Sequence, residues 1–542
     1  MSAGPVYDTI VVGSGFGGAM VAHQLVAAGE RVLMVERGDW VSRGPHNWTP
    51  GGARELTPYY SPETPYRVDA GGDRPVIGAF NCVGGPSVFY GGVALRFREA
   101  DFQPAPEIAA DSGAAWPFGY AELEPYYAVA ERVLGVAGES ATDPTEPPRS
   151  GPYPYASDPL SGPGRLVADA ARRLGLQPAR LPLAINYEAL GERGACVRCT
   201  TCDGFACAVA AKNDLATCVL PALVREGLEL RANTVAVRLH ASRGRVMGLE
   251  CVDRLSGERW TVRAERYVLA AGALATPHLL LASGLERSAP GGNIVGRYLM
   301  RHRNSIVFGV FPRRPNPAGE FHKQVAIHDF YFGHQGRGAP PGKLGGIQQI
   351  TSPPPRFVRA VLPRPLNYLL APGVPFTTGL LTIAEDQPRA ENGVWLDTSR
   401  HDRFGLPQLV VTHRYTPRDV AAGRALEREA KRIVRAAGAL FHYVYRIKTF
   451  SHAVGTVRMG SDPRRSALDE EGRFRGVDNL YVADGSALPS SAGVNPSLTI
   501  AACALRVGAL LAGASAPFGL PVRGGRARGL PVLGPAAHPV AD

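Results

Sequence analysis

Three glycines close to the N-terminus have the spacing of a loop that binds a dinucleotide. The segment "YDTIVVGSGFGGAMVAHQLVAAGERVLMVERG" places Gly13, Gly15 and Gly18 after one apolar run and Glu36 after the next. In such loops the first glycine makes a tight turn, the second lets the backbone approach the pyrophosphate, and the third lets the helix pack closely on the strand. Helix amides then face the phosphates, and an acid about 20 residues further on binds the ribose hydroxyls. The pattern predicts a bound dinucleotide, either a nicotinamide or a flavin.

The remaining candidate contacts are spread along the chain, which favours a flavin. A second glycine cluster "GGPSVFYGG", the small-residue turn in "AAGALATP" and the C-terminal unit "YVADGSALP" followed by "NPSLT" each have the form of a strand entering a turn. A flavin dinucleotide needs contacts at its adenosine, pyrophosphate, ribityl chain and ring, and separated segments can supply them. A tightly held flavin also implies a second reaction partner that restores its redox state.

Four closely spaced cysteines form the other group of residues that could do chemistry. They are Cys196, Cys199, Cys202 and Cys207, with the spacing C-x2-C-x2-C-x4-C. Iron–sulfur clusters use similar runs of thiolates, whereas zinc sites usually use two separated pairs. The four-residue last gap and the Ala208 after it depart from the familiar cluster pattern. We therefore expect structural thiols, reduced or partly disulfide-linked, and no metal, while an iron–sulfur or zinc site on these four residues remains an open alternative.

The composition is typical of a globular protein with more than one domain. The chain has 542 residues, 45% of them hydrophobic and 20% charged, and this length favours two domains. No stretch is long and apolar enough for a membrane span, and no secretion leader is visible, so we expect a cytoplasmic protein. The net charge of +11 comes from scattered arginines rather than a basic run, which argues against a nucleic-acid partner.

The apolar patterns predict an α/β fold joined to antiparallel strands. Val6–Val12 and Arg31–Glu36 have the composition of buried parallel strands on either side of a helix over Phe16–Ala28. Short alternating segments between Ser305 and Tyr445 predict antiparallel strands with one face in water. Further helices are predicted over residues 116–138 and 166–174 and from Asn495 onward.

Four motifs accompany the glycine fingerprint in the order found in a known family. They are "GGPSVFYGG" (84–92), "AAGALATPHLLLASG" (270–284), "HAVGTVRMG" (452–460) and "VDNLYVADGSALPSSAGVNPSLTIAACALR" (477–506). Together they resemble the glucose-methanol-choline (GMC) family of FAD-dependent oxidoreductases, from about Tyr7 to Leu511. The resemblance implies a Rossmann-like FAD-binding domain built from discontinuous segments and a substrate domain with an antiparallel sheet.

The domain boundaries expected from this resemblance follow the motifs. The FAD-binding domain is predicted to comprise residues 1–45, 78–100, 205–304 and 446–515. The substrate-binding domain and its cap loops would comprise residues 46–77, 101–204 and 305–445. The Pro, Gly and Arg content of residues 516–542 predicts a flexible tail.

The resemblance also implies which residues bind FAD. Gly13, Gly15 and Gly18 would hold the pyrophosphate, Glu36 would bind the adenosine ribose, and Val235 would contact the adenine. The loop with Gly85, Ser87 and Gly91 would run past the flavin ring and the phosphates. Asp484 and Gly485 would contact the ribityl chain and the phosphate. Asn495 and Pro496 would start a helix whose positive end faces the flavin and stabilises its reduced anionic form. Tyr90 stands where many members have Asn, which alters the expected shape and polarity of the flavin edge.

The implied chemistry is oxidation of an alcohol to an aldehyde or ketone. An alcohol that loses a hydride to flavin must also lose its hydroxyl proton, so the site needs a base, and His is suited to that task near neutral pH. The resemblance makes His452 the base and Asn495 a hydrogen-bond donor to the substrate oxygen. Since Asn is a good helix N-cap, Asn495 is also expected to cap its helix. His302 is interpreted as structural.

Substrate and electron acceptor are less determined by the sequence. "VFYGG" and "LPLAINYEALGERGAC" (181–196) loosely resemble the actinobacterial branch that includes the aminoglycoside 6'-oxidases, which favours a sugar-like or aminoglycoside-type alcohol with dioxygen as acceptor. The apolar segment Phe357–Phe376 could instead cover a lipophilic alcohol, such as a sterol or long-chain alcohol, oxidised with another acceptor, or it could be interdomain packing. A flavin-containing hydroxynitrile lyase is a further alternative.

Overall fold

The computed structural model describes residues 7–48, 60–61, 66–69, 79–190, 193–320, 322–336, 338–356, 359 and 363–519. No helix in these ranges has the length and apolar character to cross a membrane. Of the predicted tail, residues 520–542 lie outside the described residues. Phe518 is tied to the first helix, because its backbone N–H donates to Gln24 Oε1 and its carbonyl accepts from Gln24 Nε2.

The strands and helices are numbered in chain order. The strands are β1 Tyr7–Val12, β2 Val32–Val35, β3 Tyr60–Ser61, β4 Tyr66–Asp69, β5 Ala79–Phe80, β6 Ala137–Gly138, β7 Tyr155–Ala156, β8 Pro178–Arg180, β9 Glu229–Arg231, β10 Thr234–Ser242, β11 Arg245–Asp253, β12 Arg259–Val262, β13 Ala264–Leu269, β14 Arg303–Val310, β15 Val325–Ile327, β16 Gly345–Thr351, β17 Thr377–Ala384, β18 Gly393–His401, β19 Pro407–Thr412, β20 Phe441–Arg446 and β21 Leu480–Val482. The α-helices are α1 Phe16–Ala27, α2 Pro106–Ala109, α3 Tyr120–Val133, α4 Gly162–Arg173, α5 Leu215–Cys218, α6 Leu220–Arg225, α7 Gly272–Ala282, α8 Leu366–Leu370, α9 Pro417–Ala436 and α10 Ser497–Leu511.

A parallel sheet forms the core of the first half of the fold. Its five strands lie in the order β21-β13-β1-β2-β9, and each neighbouring pair is parallel. The central strands are apolar and buried on both faces, as parallel sheets require, and α1 packs against α10 so closely that a methyl group on Gly508 would come within 2.9 Å of Gln24 Cβ. Because β21 comes from the C-terminal motif, the predicted Rossmann-like domain of discontinuous segments is confirmed.

An antiparallel sheet forms the core of the second half. Its six strands lie in the order β20-β14-β17-β16-β15-β8, with antiparallel pairing throughout. Val307, Ile347 and Leu380 point to one face, where they share a core with Leu426 and Ile433 of α9. The predicted antiparallel layer is confirmed.

Two features of this layer differ from the expectation. β17 was expected to have one face in water, but every residue after Thr377 in it is buried, because α9 covers one face and other parts of the chain cover the opposite face. The 20-residue helix α9 was not expected between the strands. Its start carries a local signal, since Thr416 accepts from the Asp419 N–H while Asp419 accepts from the Thr416 N–H, and Pro417 occupies the first helical position.

Two smaller sheets complete the fold. β10, β11 and β12 form an antiparallel sheet, and β19 pairs with β18 on one side and β4 on the other. The helix expected over residues 116–138 is shorter, because α3 spans only Tyr120–Val133. The buried rings of Trp116 and Phe118 precede it and pack against Phe102.

Candidate active site

The glycine fingerprint forms the turn between β1 and α1 in the manner predicted. Gly13 has a φ of +99°, and a Cβ there would lie 2.5 Å from the Ala270 carbonyl oxygen, so this position requires glycine. A Cβ on Gly18 would collide with the Gly13 carbonyl, whereas one on Gly15 would meet no atom within 4 Å. The open space at Gly15, in front of the α1 amides, fits the pyrophosphate of a dinucleotide.

Glu36 is buried at the end of β2 and is held by the same turn. Its Oε2 accepts from the Ser14 N–H at 3.0 Å and from the Ser14 hydroxyl at 2.6 Å, and its Oε1 accepts from the Gly38 N–H at 2.9 Å. Burial raises the pKa of Glu36. Ser14 Oγ also accepts from the Gly84 N–H at 3.0 Å, so this one hydroxyl joins the fingerprint, the acid and the second glycine cluster. Sequence reasoning missed Ser14, although it lies inside the fingerprint.

The second glycine cluster lies against the first. Gly85 has a φ of +55°, and a Cβ there would be 3.3 Å from Gly15 Cα. Ser87 Oγ donates to the Gly84 carbonyl at 2.7 Å and accepts from the Leu215 N–H at 3.1 Å, so its hydroxyl holds the loop in shape. Gly91 faces a different neighbour, since its Cβ would be 3.2 Å from Asp203 Cγ. Of the three residues, Gly85 is thus placed beside the fingerprint.

The Tyr90 side chain is hydrogen-bonded to and packed against other parts of the protein. Its hydroxyl donates to the Asn213 carbonyl at 2.7 Å, and its ring meets Phe16 edge-on at 5.6 Å between centroids. Phe16 is the first residue of α1, so the aromatic side chain at this position packs at the start of the fingerprint helix. Its polar end is occupied by the protein itself.

Val235 and Asp484 come from separate parts of the chain, Val235 from β10 beside Glu36 and Asp484 from the segment after β21. Val235 is buried on β10 next to Thr234, whose N–H donates to the Glu36 carbonyl at 2.8 Å. Asp484 follows β21, and its carboxylate accepts from the Gly272 N–H at 2.7 Å and the Thr276 hydroxyl at 2.5 Å on α7. Its second oxygen accepts from the Ser486 N–H at 2.8 Å. The Asp484 side chain therefore ties β21 to the start of α7, and burial raises its pKa.

His452 and Asn495, the predicted catalytic pair, are neighbours in the structure. Asn495 Nδ2 lies 3.4 Å from His452 Nε2, and Asn495 Oδ1 accepts from Gln348 Nε2 at 2.6 Å. The expectation that Asn495 caps its helix was wrong, because α10 begins at Ser497 after Pro496, with no side-chain cap, and Gln348 holds the Asn495 amide instead. Sequence reasoning missed Gln348, which lies on β16, far from both motifs.

The ring of His302 lies directly behind His452. Its Nδ1 is 2.9 Å from His452 Nδ1, and its Nε2 is 2.9 Å from the Ser491 carbonyl oxygen. A carbonyl can only accept, so His302 Nε2 carries the hydrogen and its Nδ1 is an acceptor when the ring is neutral. His452 must then carry its hydrogen on Nδ1, which leaves a lone pair on Nε2 facing Asn495. The orientation of Asn495 agrees, since its Nδ2 is a donor.

A buried carboxylate holds His302 in an unusual backbone conformation. His302 has a φ of +59°, which costs free energy for a residue other than glycine. Asp386 accepts from the N–H groups of Arg301 at 2.8 Å and His302 at 3.1 Å, and from the Ser491 hydroxyl at 2.9 Å. Burial opposes its charge, but hydrogen bonding to His413 and the positive neighbours keep the Asp386 pKa low. The same carboxylate thus holds both the His302 backbone and Ser491, whose carbonyl accepts from the His302 ring.

The surroundings of His452 keep its ring neutral. Burial is the largest cause, and the nearby His302 and Lys323 further disfavour a positive charge on the ring, so the pKa of His452 lies well below its usual range. Lys323 is itself paired with Asp203 at 2.5 Å. A neutral ring with an available Nε2 lone pair is the form that can accept a proton.

The segment that carries the four cysteines packs against the second glycine cluster. Buried Lys212 donates through Nζ to the carbonyls of Tyr90 at 2.8 Å, Cys202 at 3.1 Å and Phe205 at 2.7 Å, which pins the run onto the second glycine cluster. All eight cysteines are free thiols, and within the described residues no three His, Cys, Asp or Glu side chains are arranged to hold a metal. Cys196 Sγ lies 3.5 Å from His322 Nε2, and burial raises the pKa of its thiol to about 12.

Comparison with family models identifies this architecture. The N-terminal model of the GMC oxidoreductases matches residues 7–304, and the C-terminal model of the same family matches residues 388–504. The chain belongs to the GMC oxidoreductase family. It is accordingly an FAD-dependent oxidoreductase that acts on alcohols, and the open cradle at Gly15 together with the placement of Glu36 fits that cofactor.

Individual relatives of this GMC oxidoreductase include enzymes of known activity. It is 33% identical to 6'''-hydroxyparomomycin C oxidase of Streptomyces lividus and 33% identical to paromamine 6'-oxidase of Streptomyces fradiae, in each case over 94% of this chain and 92% of the relative. It is 29% identical to 2-methyl-1,2-propanediol dehydrogenase of Mycolicibacterium austroafricanum, over 92% of this chain and 94% of the relative. The likeness to the aminoglycoside 6'-oxidase branch is confirmed.

Solved structures show the same fold at low identity. A pyridoxine 4-oxidase from Mesorbium loti superposes with a TM-score of 0.67 at 20% identity, covering 93% of this GMC oxidoreductase and 99% of that chain. A formate oxidase superposes with a TM-score of 0.66 at 16% identity, covering 94% and 99%. These structures support the fold.

Proposed function

We propose that this GMC oxidoreductase converts an alcohol to an aldehyde or ketone with His452 as the base and Asn495 as the group that positions the substrate oxygen. The observation that carries the proposal is the hydrogen-bond chain from the Ser491 carbonyl through His302 to His452. This chain orients the Nε2 lone pair of His452 toward the Nδ2 donor of Asn495. A substrate hydroxyl placed within hydrogen-bond distance of both atoms would donate its hydrogen to His452 Nε2 and accept from Asn495 Nδ2.

The two side chains divide the work on the substrate. Asn495 Nδ2 would donate to the hydroxyl oxygen, and Gln348 keeps the amide in the orientation that allows this. His452 Nε2 would accept the hydroxyl proton, which positioned acid–base catalysis makes about 100- to 10,000-fold faster. Bound FAD would accept the hydride from the carbon that bears this hydroxyl. The proton taken up by His452 would leave with the two electrons to the acceptor, giving hydrogen peroxide where the acceptor is dioxygen, and the neighbours that disfavour the charged ring favour its release.

The cofactor would be held by the residues that the structure brings to the β1–α1 turn. Gly13, Gly15 and Gly18 would face the pyrophosphate, and Glu36 the adenosine ribose. The other proposed contacts come from Gly85, Ser87, Gly91, Val235, Asp484, Gly485 and Pro496. For Ser87 and Asp484, whose side chains are bonded within the protein, the contact would come from the backbone.

The first candidate substrate is a primary hydroxyl of a sugar-like or aminoglycoside-type natural product, with dioxygen as acceptor. The two relatives at 33% identity support it. A lipophilic alcohol with another acceptor is the second candidate, and the sheet face that carries Gln348 supports it. On that face the cross-strand neighbours of Gln348 and beyond are Leu381, Ile306, Ile350 and Phe308, all apolar.

Anaerobic reduction of the purified protein tests the proposal. We expect bands near ~370 and ~450 nm from bound flavin, bleached by the correct alcohol, with reoxidation in air compared against an artificial dye. His452→Ala should keep the flavin bound and slow its bleaching at least ~100-fold. Unchanged bleaching in this variant would remove the base assignment, and turnover without bleaching would favour a lyase.

A further inference from the structure

One end of the six-stranded sheet exposes a cluster of large apolar side chains. Val310 at the end of β14 pairs with Thr377 on one side and Phe441 on the other, so the segments leading into β17 and β20 meet there. The exposed side chains, called here the apolar end, are Leu366, Tyr368, Leu369, Leu370, Leu440, Phe441 and Tyr443. Leu369 is 72% and Phe441 71% exposed. Exposed apolar groups clustered in this way mark an interaction surface.

The sequence around the three strands and loops that meet at this end contains positive charge and no acid. Residues 305–319, 352–384 and 437–450 contain no Asp or Glu, in a chain that has 48 of them. Their cations in the parts next to Val310 and Thr377 are Arg313, Arg314, Arg356, Arg359 and Arg364. Arg446 and Lys448 belong to the opposite end of the sheet, because Arg446 pairs with Ser305 near the start of β14, and Arg446 has an acidic partner there, Glu427, at 3.4 Å.

Charged and apolar groups are interleaved on this surface. The guanidinium of Arg364 lies 5.7 Å from the ring centre of Tyr368, and that of Arg314 lies 5.8 Å from the ring centre of Phe376. Arginine stems can lie along apolar surface while the charged heads reach the headgroup level. Segments that bind at a lipid–water interface combine apolar side chains such as Leu and Phe with arginines and lysines, and this surface has the same composition.

We propose that the apolar end docks on an anionic lipid surface. Leu369 and Phe441 enter the acyl boundary, and the surrounding arginines bind the lipid phosphates. A second copy of the chain is disfavoured as the occupant, because a symmetric contact would bring two acid-free, positive surfaces together. The exposed tips come from α8, a loop and β20 rather than from one groove, and a fluid surface can cover such tips without a matching shape. Leu369 and Phe441 are not among the residues proposed to act on the alcohol or to hold the cofactor, so the proposal does not depend on the reaction.

Vesicle sedimentation of the FAD-loaded protein tests the proposal. One set of vesicles contains phosphatidylcholine alone, and the other contains phosphatidylcholine and phosphatidylglycerol in equal amounts. We expect binding to the anionic vesicles that falls as salt is raised. Leu369→Asp or Phe441→Asp should weaken it about tenfold or more, and Arg364→Gln about fivefold. Turnover of a dissolved alcohol should not change in Phe441→Asp, since Phe441 lies outside the segment 357–376.

Leu255→Asp is the matched control. Leu255 is 75% exposed at the turn after β11, away from the sheet end, and this variant should bind anionic vesicles like the parent. Three results would overturn the proposal: no binding to anionic vesicles, equal loss in the Leu255 variant, or a concentration-dependent dimer in sedimentation equilibrium that Phe441→Asp dissociates. Binding to soluble polyglutamate as tight as to vesicles, and insensitive to Leu369→Asp, would also overturn it, since charge alone would then explain it.

Discussion

Replacing His302 by leucine tests whether this ring sets the tautomer of His452. In the structure, His452 Nδ1 donates to His302 Nδ1 at 2.9 Å, which leaves Nε2 free to accept a proton. Leucine fills a similar volume but offers no acceptor. His452 could then place its hydrogen on Nε2, a tautomer in which the atom facing Asn495 is a donor and cannot take the hydroxyl proton.

The expected loss follows from one hydrogen bond. The net value of such a bond is about 0.5–1.5 kcal/mol, and leaving the buried Nδ1–H unpaired costs about 1–3 kcal/mol. The productive tautomer should therefore become about 10- to 100-fold less populated, with an equal drop in the rate of flavin reduction measured by anaerobic stopped flow. Flavin content should be unchanged, since the cofactor contacts proposed above do not include His302.

The pH dependence of flavin reduction separates this role from a purely structural one. His452 acts as a base only when neutral, so the rate falls as the pH drops through its pKa. That pKa lies well below the ordinary value of 6.5, through burial first and then the neighbouring His302 and Lys323. Without His302 one of these neighbours is gone, so the acidic limb of the rate profile should move to higher pH while burial still holds it below the ordinary value.

His302→Asn is the matched control. Its Oδ1 can occupy the place of Nδ1 as an acceptor, and Asn tolerates the φ of +59° at this position, so this variant should lose less activity than the leucine variant. If both variants react equally slowly, or if the acidic limb does not move in the leucine variant, then His302 only supports the fold and the tautomer argument fails.

Two further predictions concern the cofactor cradle and acid stability. Gly15→Val should fold but bind no flavin, because its side chain would fill the open space where the pyrophosphate would lie. Gly119→Val is the control: Gly119 is also a helix N-cap whose Cβ would meet no atom within 4 Å, and this variant should keep its flavin in the absorbance spectrum. Equal flavin content in the two variants would refute the assignment of Gly15 to the pyrophosphate site. Burial lowers the pKa of His23 from 6.5 to about 4, so the unfolded chain binds the extra proton and stability should fall by roughly 3 kcal/mol as the pH drops from 6.5 to 4. His23→Leu should flatten that part of the urea-unfolding profile, and an unchanged slope would contradict this.

The first part of the site could be predicted from the sequence because its determinants are local. The turn at Gly13, the helix from Phe16 and the acid at Glu36 lie within one strand–helix–strand unit, and each glycine acts through its own backbone. The helix α9 was also marked locally, by Thr416, Pro417 and Asp419, but the alternating segments around it drew the interpretation toward strands. A local signal was present there and was outweighed by its neighbours.

The support of the catalytic pair could not be predicted in the same way. His302 lies 150 residues before His452 in the chain, and Gln348 lies 147 residues before Asn495, so only the tertiary fold brings them together. The spacing around Asn495 and Pro496 predicted a cap, because an Asn before a helix usually serves that purpose. Gln348 competes for the same amide, and nothing near Asn495 in the sequence indicates that competitor.

The two faces of the six-stranded sheet serve different purposes, one packing against α9 and the other carrying Gln348. Alternate residues of a strand point to opposite faces, so on β14 Val307 packs toward α9 while Phe308 points to the face shared with Gln348. On β17 the residues of both faces are buried after Thr377, although the alternating sequence predicted one face in water. The apolar neighbours of Gln348 on the second face are therefore identified by the pairing register, which links Ile350 to Gly379 and Gly379 to Phe308, and not by hydropathy alone.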